Sequence, residues 1–304
     1  MKHTAMMVAL AAALIAQGGF AQGLASIDEQ IAAGGIATQQ IGPGLYVFYF
    51  ESGGNLLVSI GDQGVLIVDD HFTDSVPIYQ AKIRELGGGD IDFVVNTHWH
   101  YDHTEGNQIL GPQGAWMVSQ ANSRDMMTRA NVINVVVRPS VNQAAYETVA
   151  LPVATFDDAM QLHFNGERLD LLHFGPAHTT GDAAVILRGH NVVHLGDVFN
   201  TSGFPFIDAD NGGDIDGVIR FCEAVLLEIN RDTVVVPGHG RVAGYSELRD
   251  YVAMLTTVRD RVAALIARGA TLEEVFAAGT TAEWEDALGD PTRLIDRVYA
   301  SLSR

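Results

Sequence analysis

Residues 91–107 read IDFVVNTHWHYDHTEGN, a short apolar stretch that runs straight into three histidines and an aspartate within six positions. The first half suits a buried strand, whereas the second half is too polar for any core. A fold that keeps both must end a strand at the edge of a sheet and gather imidazoles there. His98 and His100 stand at i and i+2 on an extended segment, so both side chains point the same way and can hold one metal ion. Asp102 and His103 come one turn later and can serve a second ion nearby.

Three later segments repeat the pattern of a candidate ligand at a strand end before a glycine or turn. They are His178 in GPAHTTGD, Asp197 in HLGDVFN and His239 in VVPGHG. Five histidines and two aspartates in such settings predict a metal centre. Nitrogen and oxygen ligands suit zinc, and would also accept iron or manganese. His71, His163, His173, His190 and His194 lack that setting and read as solvated or hydrogen-bonded side chains. Thr97, Thr179 and Thr180 sit beside ligands, where a hydroxyl either supports a ligand or caps backbone; capping is the expectation taken here.

The surrounding pattern is that of an α/β chain. GLYVFYF and NLLVSIGDQGVLIVDD read as antiparallel strands turning at Ser52-Gly53-Gly54 and Gly61-Asp62. SVPIYQAKIREL has helical spacing and stops at three glycines, and TEGNQIL begins another helix. Strands are expected around Met117-Val118 and in LDLLHF, AAVILRG, NVVHLGD and TVVVPGH. In the helix DIDGVIRFCEAVLLEI the only cysteine, Cys222, shares an apolar face with Val218, Ile219 and Val225, so it reads as core. Amphipathic helices follow from about Glu247, and Thr271 and Glu274 form a capping-box pair. GVLIVDD and NVVHLGD echo each other as apolar strands ending in aspartate, too little to establish a duplication.

Lys2, an apolar run of about a dozen residues and the small residues Gly19 and Ala21, at −3 and −1 of a cleavage after Ala21, predict a secretory leader over residues 1–21. The run is too short for a membrane anchor. Residues 22–304 then form one expected domain, exported to the periplasm or beyond. Loss of Lys2 moves the formal charge from −19 to −20, a balance that repels nucleic-acid phosphates and anionic membranes.

THWHYDH resembles the H-x-H-x-D-H signature of the metallo-β-lactamase fold superfamily, and GPAHTTGD, LGD and VPGHG follow in that family's order. The resemblance runs from about Gly44 to Gly244. It implies an αβ/βα four-layer sandwich with the metals at one edge, between two sheets. It also implies two zinc ions per chain: one on His98, His100 and His178, one on Asp102, His103 and His239, with Asp197 bridging.

Two positions depart from the commonest β-lactamase subclass, which has a cysteine in place of Asp197 and no histidine ligand in place of His103. The ligand set is closer to the glyoxalase II pattern, whereas the surrounding sequence resembles the β-lactamases. A lysine that commonly pairs with the substrate carboxylate is replaced by Asn200, and VFNTSGFPFIDADNGGD holds no basic residue. Asn200 is either a substrate hydrogen-bond donor or a plain loop residue.

Two such ions lower the pKa of a shared water toward neutrality and polarise a carbonyl, with Asp102 orienting the water or carrying its proton. The expected substrate is a small carbonyl compound, with a β-lactam first and a lactone or thioester of the glyoxalase II type as the alternative. A metal carrier without turnover needs fewer than seven ligands.

Overall fold

The computed structural model describes residues 26–304, so the expected leader lies outside the described residues. A helix with a Ser26–Glu29 capping box, α1 (Ile27–Gly34), leads into a seven-stranded sheet. Its strands are β1 (Ile36–Gly42), β2 (Leu45–Phe50), β3 (Leu56–Gly61), β4 (Gly64–Val68), β5 (Ile91–Asn96) and β6 (Trp116–Gln120), with a later strand at the far edge. The first four pair antiparallel through short turns, and β4, β5 and β6 run parallel. The parallel connections carry α2 (Val76–Glu85), then α3 (Tyr101–Thr104) and α4 (Asn107–Gln113).

After α5 (Ala121–Met127) the chain makes a small hairpin, β7 (Asn131–Ile133) with β8 (Val141–Gln143). It then adds β9 (Ala154–Phe156) beside β6. The second sheet has six strands: β10 (Ala159–Phe164), β11 (Glu167–Leu172), β12 (Ala184–Leu187), β13 (Val192–His194), β14 (Val234–Val236) and β15 (Ala243–Gly244). Between β13 and β14, which are parallel, lies α6 (Ile215–Glu228). The chain ends in α7 (Tyr245–Ile266), α8 (Leu272–Ala277), α9 (Glu285–Leu288) and α10 (Thr292–Leu302).

Side-chain alternation along the strands builds the layers. Val47, Leu57, Leu66, Val68 and Val95 from the first sheet meet Leu169, Leu171, Val185, Leu187 and Val236 from the second, forming the middle core. The intervening residues face outward: Phe48, Val58, Ile67 and Val94 pack on Tyr79 and Ile83 of α2. Ile186, Val193 and Val235 pack on Val218, Cys222 and Val225 of α6 and Leu255 and Val258 of α7. Both faces of each sheet are covered, which is why the strands read as unbroken apolar runs. The result is the expected αβ/βα four-layer sandwich, and Cys222 is buried within its outer core.

The weaker elements did not show in the sequence: α1, β1, the β7–β8 hairpin, β9 and β10. Several are three-residue strands or half-exposed, too short to display a period.

Candidate metal centre

Four strands of the two sheets end at one rim of the sandwich, and the polar loops that leave them converge there. The loop after β5 carries His98 and His100, and the first turn of α3 carries Asp102 and His103. His178 lies in the loop after β11, Asp197 in a short turn after β13 and His239 in the loop after β14. Gly238 and Gly196 allow these last two loops to touch. A Cβ on Gly238 would collide with Asp197 Oδ1, and Gly196 has φ +50° with Thr97 against its open side.

The structure brings all seven expected ligands together, in two triads. His98, His100 and His178 form one, and Asp102, His103 and His239 the other. Asp197 stands between them. Its Oδ2 is 3.7 Å from His178 Nε2. Its Oδ1 is 3.1 Å from His103 Nε2 and 3.2 Å from His239 Nε2.

The donor set fits a metal ion on its own hydrogen bonding. His178 Nδ1–H donates to the Phe206 carbonyl at 2.8 Å, so its Nε2 is a lone pair in the neutral ring. His100 Nε2–H donates to Asp208 Oδ2 at 2.9 Å, so its Nδ1 is one too. These two nitrogens face each other at 3.0 Å, an arrangement that repels without a cation between them. Tetrahedral zinc with bonds of about 2.0–2.1 Å separates its ligand atoms by roughly 3.3 Å, close to the spacings observed. His98 Nε2 is buried with no hydrogen-bond partner among the described residues.

Asp69 joins the triads: with His98 and His103 it forms a third, overlapping group whose ligand atoms lie close together. At the end of β4, with φ +61°, it accepts from the Thr97 amide (2.7 Å), the Thr97 hydroxyl (2.8 Å) and His103 Nδ1 (2.8 Å). Thr97 Oγ1 in turn lies 3.0 Å from His98 Nδ1. One carboxylate therefore fixes the ring orientation of a histidine in each triad. Asp208 does the same for His100. The capping expectation fails for Thr97, whose hydroxyl supports a ligand, and holds for Thr179, which bonds Asp182 and the Gly181 amide. His71 and His194 are buried, and His71 is hydrogen-bonded to the Ser52 carbonyl and the Ser75 hydroxyl.

The charges follow the same division. Burial and the neighbouring rings hold the His98 pKa well below its usual value. Burial also lowers that of His178, against the pull of Asp197. For His239, burial opposes the charge, but Asp197 and Asp102 outweigh it and push the pKa up to about 10. Burial is likewise overcome at His103, which Asp197, Asp102 and Asp69 hold well above the usual range.

The centre opens into a cleft of about 400 Å³. Asn200 lines it: its Oδ1 accepts from the Ser202 amide at 2.7 Å and hydroxyl at 2.9 Å, while its amide nitrogen has no hydrogen bond among the described residues. Two cations also line the cleft, Arg138 and Arg293, from segments that carry no motif.

The family model of the metallo-beta-lactamase superfamily matches residues 51–239. A probable metallo-hydrolase of Methanocaldococcus jannaschii is 23% identical over 197 residues, 62% of this chain and 88% of that protein. Among solved structures, a metallo-beta-lactamase from Pontibacter korlensis superposes with a TM-score of 0.58 at 16% identity, over 73% of this chain and 99% of that one. The DIM-1 metallo-beta-lactamase gives 0.58 at 18%, over 73% and 97%. At these identities the likeness is one of fold.

Proposed function

The chain belongs to the metallo-beta-lactamase superfamily and is a metal-dependent hydrolase, and we propose that it is an exported dinuclear zinc enzyme that opens β-lactam rings. The observation that carries the dinuclear reading is Asp197, with one carboxylate oxygen turned to each triad. His98, His100 and His178 would hold one ion, Asp102, His103 and His239 the other. When bound, a pair of divalent ions makes water a nucleophile at neutral pH and polarises a carbonyl.

The chain's own residues do the rest. Asp69 and Asp208 keep the outer ring nitrogens of His103 and His100 protonated, so that the inner lone pairs face the centre. Asp102 reaches the cleft with Oδ2 at 3.4 Å from His239 Nε2, placed to take a proton from the attacking water and return it to the leaving nitrogen. The free amide of Asn200 is available to donate to the substrate. Export is supported by the leader pattern of residues 1–21.

A second reading, a thioesterase or lactonase, is favoured by the all-nitrogen-and-oxygen ligand set that includes His103 and Asp197. The deciding experiment incubates zinc-loaded protein with a penicillin, a cephalosporin, an aliphatic lactone and S-lactoylglutathione. Ring opening of the lactams is expected. Intact lactams beside rapid thioester or lactone hydrolysis would overturn the β-lactamase reading and establish the second.

A further inference from the structure

The two arginines of the cleft come from unrelated parts of the chain. Arg138 lies in the loop of the β7–β8 hairpin, two residues after Val136, which is held at φ +63°. Arg293 lies in the first turn of α10, well beyond the residues 51–239 that carry the family match. A bridge brings the two segments together. Asp210 accepts from Asn134 of the hairpin loop at 3.1 Å and from Arg297 of α10 at 2.7 Å. Asn211 adds a bond to the Val132 carbonyl at 2.9 Å.

The partners of Arg293 and Arg297 differ sharply, although they sit one turn apart. Arg297 pairs with two carboxylates, Asp210 and Asp296. Arg293 has no carboxylate partner among the described residues. Its one hydrogen bond is a long one, 3.3 Å, to the Phe204 carbonyl, and its guanidinium lies 5.8 Å from the centre of the Phe206 ring. Among the described residues Arg138 makes one bond, to the Tyr101 hydroxyl at 3.1 Å. A guanidinium has five N–H donors, so most of those on both side chains have no protein acceptor. Burial disfavours the Arg293 charge, the nearby Asp197 favours it, and Arg138 disfavours it. Two cations share the cleft with Asp102 and Asp197, and among the described residues neither arginine forms an ion pair.

We propose that Arg293, with Arg138 as a second prong, receives an anionic group of the substrate, so that the enzyme selects carbonyl compounds that carry a carboxylate. This rests on the hydrolase reading above and assigns the binding role to the C-terminal helix. The planar guanidinium pairs with a carboxylate through two parallel bonds. Phe206, Ile133 and Val135, which also line the cleft, offer apolar surface for the body of such a molecule. Asn200 supplies a neutral donor, and the arginines supply the charge.

Two measurements separate this anchor from the reaction. The first is calorimetric binding of 3-phenylpropionate and of its neutral amide to the zinc-loaded protein, which needs no turnover. Wild type is expected to prefer the acid, and Arg293→Gln, which keeps a donor for the Phe204 carbonyl, to lose roughly ten- to hundredfold of that preference. Arg138→Gln, at an exposed side chain, should lose part of it with the fold intact. Equal binding of acid and amide by wild type overturns the proposal. So does a preference that survives in Arg293→Gln, because the carboxylate is then held by the metals. The second measurement compares kcat/KM for benzylpenicillin and its methyl ester; the acid-to-ester ratio should fall in Arg293→Gln by a similar factor, mainly through KM. If no lactam is opened, the β-lactamase reading fails, and the binding experiment still decides the anchor.

Discussion

A single carboxylate carries the dinuclear reading, and its removal separates the two triads experimentally. Asp197→Ala is expected to lower occupancy at both sites, because one oxygen faces each. His103→Ala should empty mainly the second. Each loss should cost at least the roughly 10–100-fold in affinity or activity typical of changes one shell further out. Metal analysis checks this, and two tightly held ions in Asp197→Ala would refute the bridging role. Asp69→Ala tests the layer behind. It strands the Thr97 amide and hydroxyl and His103 Nδ1, and should weaken zinc binding by about 10–100-fold without removing a ligand. The seven ligands were legible in the sequence because each stands at the end of an apolar run. Asp208 was not, since it meets His100 across 108 residues and nothing local marks it. Asp69 was visible only as the aspartate ending GVLIVDD, without a role. Arg138 and Arg293 carry no local signal, since both lie far in sequence from the ligand motifs and only the fold brings them to the cleft.

Among the elements, long apolar runs gave themselves away and short ones did not. LLVSI, VLIV and AVILR alternate between two buried faces, so hydrophobicity alone marked them as strands. The β7–β8 hairpin has three residues on each side, too few to show a period, yet with its loop it delivers Arg138, Ile133 and Val135 to the cleft. The C-terminal helices are amphipathic in sequence, and they are structural in part. Leu248, Leu255 and Val258 of α7 and Leu294, Ile295 and Val298 of α10 are buried in the same outer core as α6. Leu255→Ala should therefore destabilise the protein by about 2–5 kcal/mol, measured by urea unfolding of the zinc-loaded form. A cost below about 1 kcal/mol would show α7 to be loosely docked.

The whole molecule responds to pH through its centre. In the metal-free protein the pKa of His239 is raised from 6.5 to about 10, and that of His103 is raised as well. A raised histidine contributes stability that is fully present below its unfolded value and is lost as pH climbs through the folded one. Metal-free protein should thus lose stability between roughly pH 6.5 and 10, followed by thermal unfolding. Zinc affinity at the second site should rise over that window, since His103 and His239 must release their protons to bind, while His98 and His178 are already neutral. The arginine pair has a consequence for the speed of encounter. The chain has a formal charge of −19, and at about 0.01 M salt that field extends roughly 30 Å into solution. An anionic substrate approaches against it, and meets the half-buried Arg293 only inside the mouth. Added salt dissolves the distant barrier first and reaches the half-buried contact last. For a carboxylate substrate below saturation, turnover should accelerate as salt rises from about 10 to 150 mM, the reverse of a diffusion-steered enzyme.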